Sequence, residues 1–408
     1  MERSSPELDD LLSDEAVNQP FRYYERLRAL GPVVWNERWN GWIVTGYDEV
    51  VKGYLTHDIL SSDRFSGPFG ADMRAESGPT RLLSLLSKFF VWKDPPSHTR
   101  MRAALFKAFA ARSVESMRPK ARDLTRDLAE DLRGKGSVDF LSEFAFHLPV
   151  IIISDYLGVP VEAREQVRAW SQDLAAVVFV KGDDRQRLER AEKAMAGVEA
   201  LLQPLIDARR KNPADDLIST LIAVEHDGER LSDEEIIANM LLLVFAGHET
   251  TMNLLTNAVV AFNQFPGEWA RLRTDPSLAR TATEEALRYD GPIRALGRWA
   301  KTSFELGGKT INTRDRVLLI QHAANRDPKG FGNPDVFDIT RQPNRHVAFG
   351  TGIHLCLGAP LARLETQEAL AYLASTFERI EVLELELRYN PTIVSRSLER
   401  LNVRVVEH

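Results

Sequence analysis

Cysteine is scarce in this sequence: among 408 residues the chain has one, Cys356. A single cysteine excludes an intrachain disulfide, and it also excludes zinc sites and iron–sulfur clusters built from several cysteines of the chain. Such usage is typical of a reducing compartment, so we expect a cytoplasmic protein. The chemistry of the one thiol then becomes the main question.

Membrane and targeting segments are also lacking. The N-terminal segment is acidic and contains no apolar core of the kind found in a signal peptide. The longest nearly uncharged stretch, Ile236–Phe262, contains His248 and Glu249 near its middle, which favours a buried helix over a membrane span. A net charge of -7 and a pI of about 5.8 predict no general attraction to nucleic acid or to anionic lipid.

The composition, with 44% hydrophobic and 27% charged residues, is that of a globular chain with a large core. Apolar residues at three- and four-residue spacing dominate residues 97–290 and predict a helical core. β-type patterns occur near 32–46 and 297–320. The turn signals of these two regions are Asn40-Gly41 and Gly307-Gly308. We therefore expect a mainly α fold with minor β parts, forming one large domain over residues 1–408.

A long central helix is predicted before the late β region. Ser232 and Glu235 form a capping box, and apolar spacing continues to Phe265, so this helix is about 50 Å long at ~1.5 Å per residue. Further along, residues 323–347 are rich in Asn, Asp, Pro and Arg and show no periodicity. Long irregular segments in compact proteins are commonly functional, and this one leads directly into the loop 349–358, FGTGIHLCLG.

That loop places the lone thiol in an unusual setting. Gly350, Gly352 and Gly358 permit positive φ and the close approach of a flat ligand. The helix predicted after Gly358 places its N-terminus beside Cys356, which favours a thiolate, and Phe349 offers an apolar shield. From the residues alone three other interpretations stay open. These are a small buried hydrophobe, a nucleophile with His354 as its base, and a phosphate cradle, although the P-loop lysine is missing.

The decapeptide resembles the haem-binding signature of the cytochrome P450 family at every fixed position. Thr351 stands where the family often has histidine, at a variable position. The resemblance implies a mainly α cytochrome P450 fold in which Cys356 is the axial thiolate ligand of haem b and O2 is the second cofactor.

The long helix contains AGHETT, which looks like the oxygen-activation motif of the same family. The resemblance implies that Ala246 and Gly247 open a groove over the iron, and that Glu249 and Thr250 relay protons into a dry cavity as the catalytic pair. The alternative for an isolated Glu-Thr pair is a threonine bonded to its own backbone beside a solvated glutamate.

Two further segments match the family. EEALR supplies Glu285 and Arg288 on one helical face, and the resemblance implies a buried ion network that also includes Arg341. DPPSHTRMR implies propionate contacts by His98 and Arg102, since buried propionates need fixed donors. The residues that the resemblance assigns to haem binding are His98, Arg102, Ala246, Arg298, Ala348, Phe349, Gly350, His354, Cys356 and Gly358.

The resemblance implies a monooxygenase that inserts one oxygen atom of O2 into a lipophilic small molecule, by hydroxylation or epoxidation. Electrons from NAD(P)H are expected to arrive through a separate ferredoxin and its reductase, docked on a basic face around Lys107, Arg345 and Arg363. The alternatives are a peroxide-using haem-thiolate enzyme and a non-catalytic haem or small-molecule binding protein. The expected pocket segments are Leu85–Trp92, Leu174–Val180, Leu243, Pro292–Leu296 and Ile393–Ser395. Within them, Arg294 is a candidate to hold the carboxylate of an acidic substrate, and the alternative is that it turns to solvent or pairs with a nearby acidic residue.

Overall fold

The computed structural model describes residues 6–77, 80–109, 111–163, 166–167, 169–170, 173–174, 185–214, 216–226 and 229–407. The chain divides into two compact units. The first unit comprises residues 1–60, 118–149 and 249–408, and the second comprises residues 61–117 and 150–248. One domain over the whole chain stays a prediction.

Helices dominate the described residues, as predicted. The α-helices are α1 (Asp14–Asn18), α2 (Pro20–Ala29), α3 (Tyr47–Leu55), α4 (Pro68–Ser77), α5 (Arg81–Leu86), α6 (Ser97–Ala108), α7 (Ala111–Glu115), α8 (Arg118–Glu130), α9 (His147–Tyr156), α10 (Arg185–Lys211), α11 (Leu217–Ala223), α12 (Asp233–Gln264), α13 (Pro266–Thr274), α14 (Ala279–Asp290), α15 (Gln321–Ala324) and α16 (Ala359–Thr376).

Strands are short and lie mostly in the first unit. They are β1 (Val33–Asn36), β2 (Gly41–Val44), β3 (Leu60–Ser61), β4 (Val138–Asp139), β5 (Glu225–His226), β6 (Glu229–Arg230), β7 (Leu296–Ala300), β8 (Phe304–Leu306), β9 (Lys309–Ile311), β10 (Arg316–Leu319), β11 (Arg379–Val382) and β12 (Asn402–Val406). The fold is therefore mainly α with minor β, which confirms the predicted class.

The largest sheet has the strand order β1-β2-β10-β7-β3. β1 pairs antiparallel with β2, and β10 runs parallel to β2 and antiparallel to β7. Alternate residues of a strand point to opposite sides of a sheet, and those of β10 are buried on both sides. Val317 and Leu319 belong to the cluster that includes Tyr54 of α3, whereas Leu318 packs with Tyr24 and Leu27 of α2. One face of the sheet thus packs against α3 through Tyr54.

Both predicted hairpins are present. Asn40 has a φ of 54° in the turn between β1 and β2, and Gly307 and Gly308 have φ values of 54° and 72° between β8 and β9. The sequence analysis missed the three-stranded sheet β11-β12-β4. Its strand β4 is only Val138–Asp139, too short to show an alternating pattern inside a helical region.

The long helix α12 begins and ends close to the predicted positions. Ser232 Oγ accepts a hydrogen bond from the Glu235 backbone N at 3.2 Å, while Glu235 Oε2 accepts one from the Ser232 backbone N at 2.9 Å. These two bonds confirm the capping box. The helix ends at Gln264, two residues before Pro266 begins α13. In the described ranges, neither α12 nor any other helix combines the length and hydrophobicity that a bilayer crossing requires.

Candidate active site

The loop that carries Cys356 is held in shape by its own backbone. Gly350 and Gly352 have φ values of 67° and 73°, which L-residues with side chains rarely adopt. The Cys356 backbone N donates a hydrogen bond to the Phe349 carbonyl O at 2.9 Å, and a short 3-10 turn at Gly352–His354 lies between them. Cys356 is exposed at the surface of the first unit, so a bound group can reach its Sγ.

Helix α16 begins three residues after Cys356, at Ala359, with a proline in its first turn. The positive end of the helix dipole therefore lies next to the cysteine and favours its thiolate form. Gly358, directly before this helix, has a φ of -80°. Positive φ is thus not the reason for glycine at this position, which corrects the sequence-based argument for Gly358.

A buried tyrosine and a glutamine lie beneath the loop. The Tyr54 hydroxyl donates to Gln321 Oε1 at 2.5 Å, and Gln321 Nε2 donates to the Ala348 carbonyl O at 2.9 Å. The Arg298 guanidinium lies 5.6 Å from the centre of the Tyr54 ring. Burial raises the pKa of Tyr54, so it acts as a neutral donor. Tyr54 and Gln321 thus join two predicted haem residues, Ala348 and Arg298.

Sequence reasoning missed Tyr54 and Gln321. Both are far in the sequence from Cys356, and nothing in their local sequence marks them. Tyr54 lies in α3, which packs on the large sheet, and Gln321 begins α15 directly after strand β10 of that sheet.

The ion network predicted from EEALR is present. Arg288 donates through Nε and Nη2 to the two carboxylate oxygens of Glu285, both at 2.8 Å, and both side chains are fully buried. Arg341 Nε donates to Glu285 Oε1 at 3.1 Å. Such a bidentate pair is strong when its remaining donors are also satisfied.

Those remaining donors hold the irregular segment before the loop. Arg288 donates to the carbonyl oxygens of Asn325, Pro334 and Val336 at distances of 2.8 to 3.1 Å. Arg341 Nη1 donates to the Gly332 carbonyl O at 2.7 Å. Backbone carbonyls of a segment that lacks helix and sheet hydrogen bonds thereby accept hydrogen bonds from arginine side chains. The network fixes the path of the chain that ends at the cysteine loop.

The catalytic candidates Glu249 and Thr250 are consecutive residues of α12. Within the described residues, Glu249 Oε2 is buried and has no hydrogen-bond partner. Desolvation raises the pKa of Glu249 to about 7. The carboxyl therefore holds its proton up to about neutral pH, as a proton donor must. A fully solvated glutamate does not match the burial of Oε2, and the catalytic role of the pair stays a prediction.

In the second unit, α12 carries Ala246 and Gly247. A Cβ atom on Gly247 would lie 2.8 Å from Cγ1 of Ile153 in α9. Close packing of α9 is thus a sufficient reason for this glycine, and the groove over the iron stays a prediction. His248 is buried with its Nδ1 2.9 Å from the Val244 carbonyl O, and desolvation lowers the pKa of its imidazole to about 4.

His98 and Arg102 lie four residues apart in α6 and therefore share one helical face. The His98 ring is 1% exposed and packs on Phe90, with 6.2 Å between ring centres. Its backbone N donates to the Asp94 carbonyl O at 3.0 Å. This pair belongs to the second unit, and His354 and Arg298 belong to the first. Their contacts with propionates stay predictions.

The prediction that Arg294 holds a substrate carboxylate is wrong. Its side chain is buried and donates from Nε to the Tyr24 hydroxyl at 3.0 Å. Its Nη1 and Nη2 donate to the carbonyl oxygens of Thr392 and Ala16 at 2.6 and 2.5 Å. Arg294 therefore ties the N-terminal helices to the late turn of the chain, and it is not available to bind a substrate carboxylate.

Other predicted segments are placed in part. An isolated bridge pairs Ile293 with Ser395, so the two expected pocket segments of the first unit are adjacent. The second-unit residues Leu85, Phe89 and Leu243 are buried. Residues 175–180 and the side chain of Lys107 lie outside the described residues. In the expected basic face, Arg363 is paired with Glu284 through its Nε at 2.7 Å.

Comparisons with known proteins agree with this geometry. The profile of the family described as cytochrome P450 matches residues 76–275 and 273–392. The chain is 36% identical over 396 residues to 6-deoxyerythronolide B hydroxylase from Saccharopolyspora erythraea, covering 95% of each chain.

Two solved structures are similar over almost their whole length. P450BioI, in complex with hexadec-9Z-enoic acid ligated acyl carrier protein, has a TM-score of 0.87 and 34% identity, covering 98% of this chain and 100% of that one. CYP109E1 from Bacillus megaterium, in complex with testosterone, has a TM-score of 0.84 and 34% identity, covering 96% of this chain and 98% of that one.

The residues of the first unit fit a haem with one protein ligand. Cys356 is the only thiol of the chain and is exposed on a loop whose neighbours Gly350 and Gly352 present no side chain. The adjoining helix N-terminus stabilises its thiolate, the form that ligates iron. The chain therefore belongs to the cytochrome P450 family, and it is a monooxygenase that uses O2 and a haem b held by a cysteine thiolate.

Proposed function

We propose that this enzyme hydroxylates or epoxidises a lipophilic small molecule, with electrons from NAD(P)H delivered by a separate ferredoxin and its reductase. The observation that carries the proposal is Glu249. A buried carboxyl beside Thr250, with a pKa of about 7, is suited to supply protons for the reduction of O2. Reduction of O2 consumes protons that hydrogen peroxide already carries, so a buried proton donor favours the O2-driven reaction over the peroxide-driven one. The single cysteine further supports a cytoplasmic location.

The haem, when bound, supplies the activation of O2, and the chain supplies binding, orientation and protons. We propose that Cys356 ligates the iron and that Phe349 shields the sulfur. His98, Arg102, Arg298 and His354 would donate to the propionates. The residues proposed to line the haem are Ala246, Ala348, Gly350 and Gly358.

Glu249 and Thr250 would act in sequence. The protonated carboxyl of Glu249 would give its proton to a water, because its Oε2 has no hydrogen-bond partner among the described residues. The Thr250 hydroxyl would pass a proton from that water onward to the O2-binding side. A dry environment keeps other proton donors out, so the route stays specific.

The apolar character of the expected pocket segments supports a lipophilic substrate. Leu85, Phe89, Leu243 and Ala295 are buried apolar residues of these segments. The solved relatives include one with a fatty-acid-loaded carrier protein and one with a steroid. Because Arg294 is fully engaged, we propose that apolar contacts, and not a salt bridge to Arg294, hold the substrate.

The test has two stages with purified protein. First, the carbon monoxide difference spectrum of the dithionite-reduced protein is recorded, and a strongly red-shifted Soret band is expected. Second, steroids, macrolactones and long-chain fatty acids are screened for substrate-induced spin shifts and for turnover under ¹⁸O2 with NADH, ferredoxin and reductase. We expect one labelled oxygen in the product.

Three results would contradict the proposal. A carbonyl spectrum typical of histidine ligation would remove Cys356 as the ligand. Turnover with hydrogen peroxide alone, equal to that with the complete electron-transfer chain, would favour the peroxide-using alternative. Tight spectral binding with no product under either condition would favour a binding protein.

A further inference from the structure

Two polar side chains, Arg363 and His346, lie against Phe349 at the start of the cysteine loop, and both bind Glu284. Arg363 of α16 donates from Nε and Nη2 to Oε1 and Oε2 of Glu284 in α14, at 2.7 and 2.9 Å. His346 Nε2 lies 3.0 Å from Glu284 Oε2. We name Glu284, His346 and Arg363 the Glu284 cluster. It joins two helices to the segment that enters the loop.

The hydrogen bonds define the charges of the cluster. The Ala348 backbone N donates to His346 Nδ1 at 3.2 Å, so this nitrogen is an acceptor and Nε2 carries the hydrogen that is donated to Glu284. Burial raises the pKa of Glu284, but the hydrogen bonds from His346 and Arg363 outweigh it and lower the pKa to about 2. The cluster thus pairs the carboxylate of Glu284 with the guanidinium of Arg363.

The cluster contacts the residue that bonds to the cysteine. The Arg363 guanidinium lies 4.6 Å from the centre of the Phe349 ring, and the His346 ring centre lies 6.1 Å from it. The Phe349 carbonyl O accepts the hydrogen bond from the Cys356 backbone N. One ring and one backbone bond therefore connect the charge pair to the ligand of the iron.

We propose that the Glu284 cluster positions Phe349 and sets the reduction potential of the haem, with Arg363 favouring the reduced state and Glu284 opposing it. An added electron is stabilised by a nearby positive charge and destabilised by a negative one. The side chains of Glu284 and Arg363 are only 26% and 36% exposed, so solvent screens them incompletely. The inference rests on ligation of the haem by Cys356, as proposed above.

Opposite charge changes give the test, because a merely structural role would shift both variants in the same direction. Ferric holoenzyme is titrated by spectroelectrochemistry at one pH for wild type, Glu284→Gln, Arg363→Met and the double variant. We expect the ratio of ferrous to ferric haem at a fixed applied potential to rise about three- to tenfold in Glu284→Gln. It should fall by a similar factor in Arg363→Met and return towards wild type in the double variant. A tenfold change corresponds to 59 mV for one electron.

Two further variants guard against indirect effects. Glu368→Gln removes a carboxylate of the same helix, one that pairs with Arg118 and Arg122 of α8, and it should leave the ratio near the wild-type value. Arg363→Lys keeps the charge without the bidentate fork, so its ratio should also stay near wild type. If Arg363→Met does not bind haem, Glu284→Gln and Arg363→Lys decide the question alone.

The outcomes are separable. Shifts of the same sign in Glu284→Gln and Arg363→Met, or shifts no larger than in Glu368→Gln, overturn the inference. The carbon monoxide spectrum of each protein is recorded in parallel. Loss of the thiolate band already in the wild type would refute ligation by Cys356, whereas a normal band with unchanged potentials would refute the cluster alone.

Discussion

Glu249 shows how one buried side chain acquires a function from its surroundings. The glutamate is ordinary in the sequence, but with Oε2 out of contact with water its charged form is disfavoured and the pKa rises to about 7. Because the pKa of an acid is raised, the proton is held below about pH 7 and lost above it. At the residue scale, proton supply is therefore coupled to pH.

The amount of product formed for each NADH oxidised measures how well protons are supplied. In the wild type, product formed per NADH should fall as the pH rises from 6 to 8.5. Glu249→Gln should slow turnover by about 10²-fold, in the range typical of general acids, and should flatten this pH dependence. Glu234→Gln, in the first turn of the same helix, is a suitable exposed control and should behave like the wild type. An unaltered pH profile in Glu249→Gln would show that another group supplies the protons.

At the scale of elements, two glycines that both have room for a side chain differ in their backbone conformation. Gly308 in the turn between β8 and β9 and Gly267 near the start of α13 both have room for a Cβ atom, since none would meet another atom within 4 Å. Gly308 has a φ of 72°, whereas Gly267 does not have a positive φ. Backbone conformation, and not packing, separates the two sites.

Replacement by alanine should therefore have opposite effects on stability. Gly267→Ala should raise the free energy of unfolding by about 0.4 to 1 kcal/mol, because alanine reduces the entropy of the unfolded chain. Gly308→Ala should lower it by about 1 to 2 kcal/mol, because alanine is strained at positive φ. Urea unfolding of the two holoenzyme variants measures both values. Changes of the same sign would contradict the backbone explanation.

On the scale of the whole molecule, two buried carboxyls make the free energy of unfolding depend on pH in opposite ways. Burial raises the pKa of Asp290, but the charge of Arg396 and the hydrogen bond from His322 outweigh it, so the net pKa is lowered. Its contribution to stability is present above the unfolded pKa of about 3.9 and is lost as the pH falls. Glu365 is the reverse case: burial raises its pKa, and within the described residues its Oε2 has no partner.

Glu365 should therefore cost stability as the pH rises. The unfolded chain releases this proton above a pKa of about 4.3, whereas the folded state keeps it. Between this pH and the folded pKa, the free energy of unfolding therefore falls by about 1.4 kcal/mol for each pH unit. Glu365→Gln removes this cost, so its advantage over the wild type should grow between pH 5 and 8 in thermal denaturation. Glu378→Gln, at an exposed site, should show a pH-independent difference near zero. A constant difference for Glu365→Gln would argue against a protonated carboxyl.

Much of the site follows from local sequence. The glycines of the loop, the thiol before α16 and the capping box of α12 are encoded within a few residues, because positive φ, helix dipoles and caps are local effects. The helical class and both hairpins were predictable for the same reason. Family resemblance supplied the predicted roles of Cys356, Glu249 and Thr250, which single-sequence patterns left open.

Only the tertiary structure decided the remaining features. Tyr54 and Gln321 reach the loop through the large sheet, and Arg294 finds its carbonyl partners in segments distant in sequence. Glu284 carries no local sign that it neighbours Phe349, and the pKa of Glu249 depends on what packs around it. Burial and long-range hydrogen bonds are properties of packed segments. The sequence by itself therefore determined the chemistry available at the loop, and packing determined which side chains orient it and how they are charged.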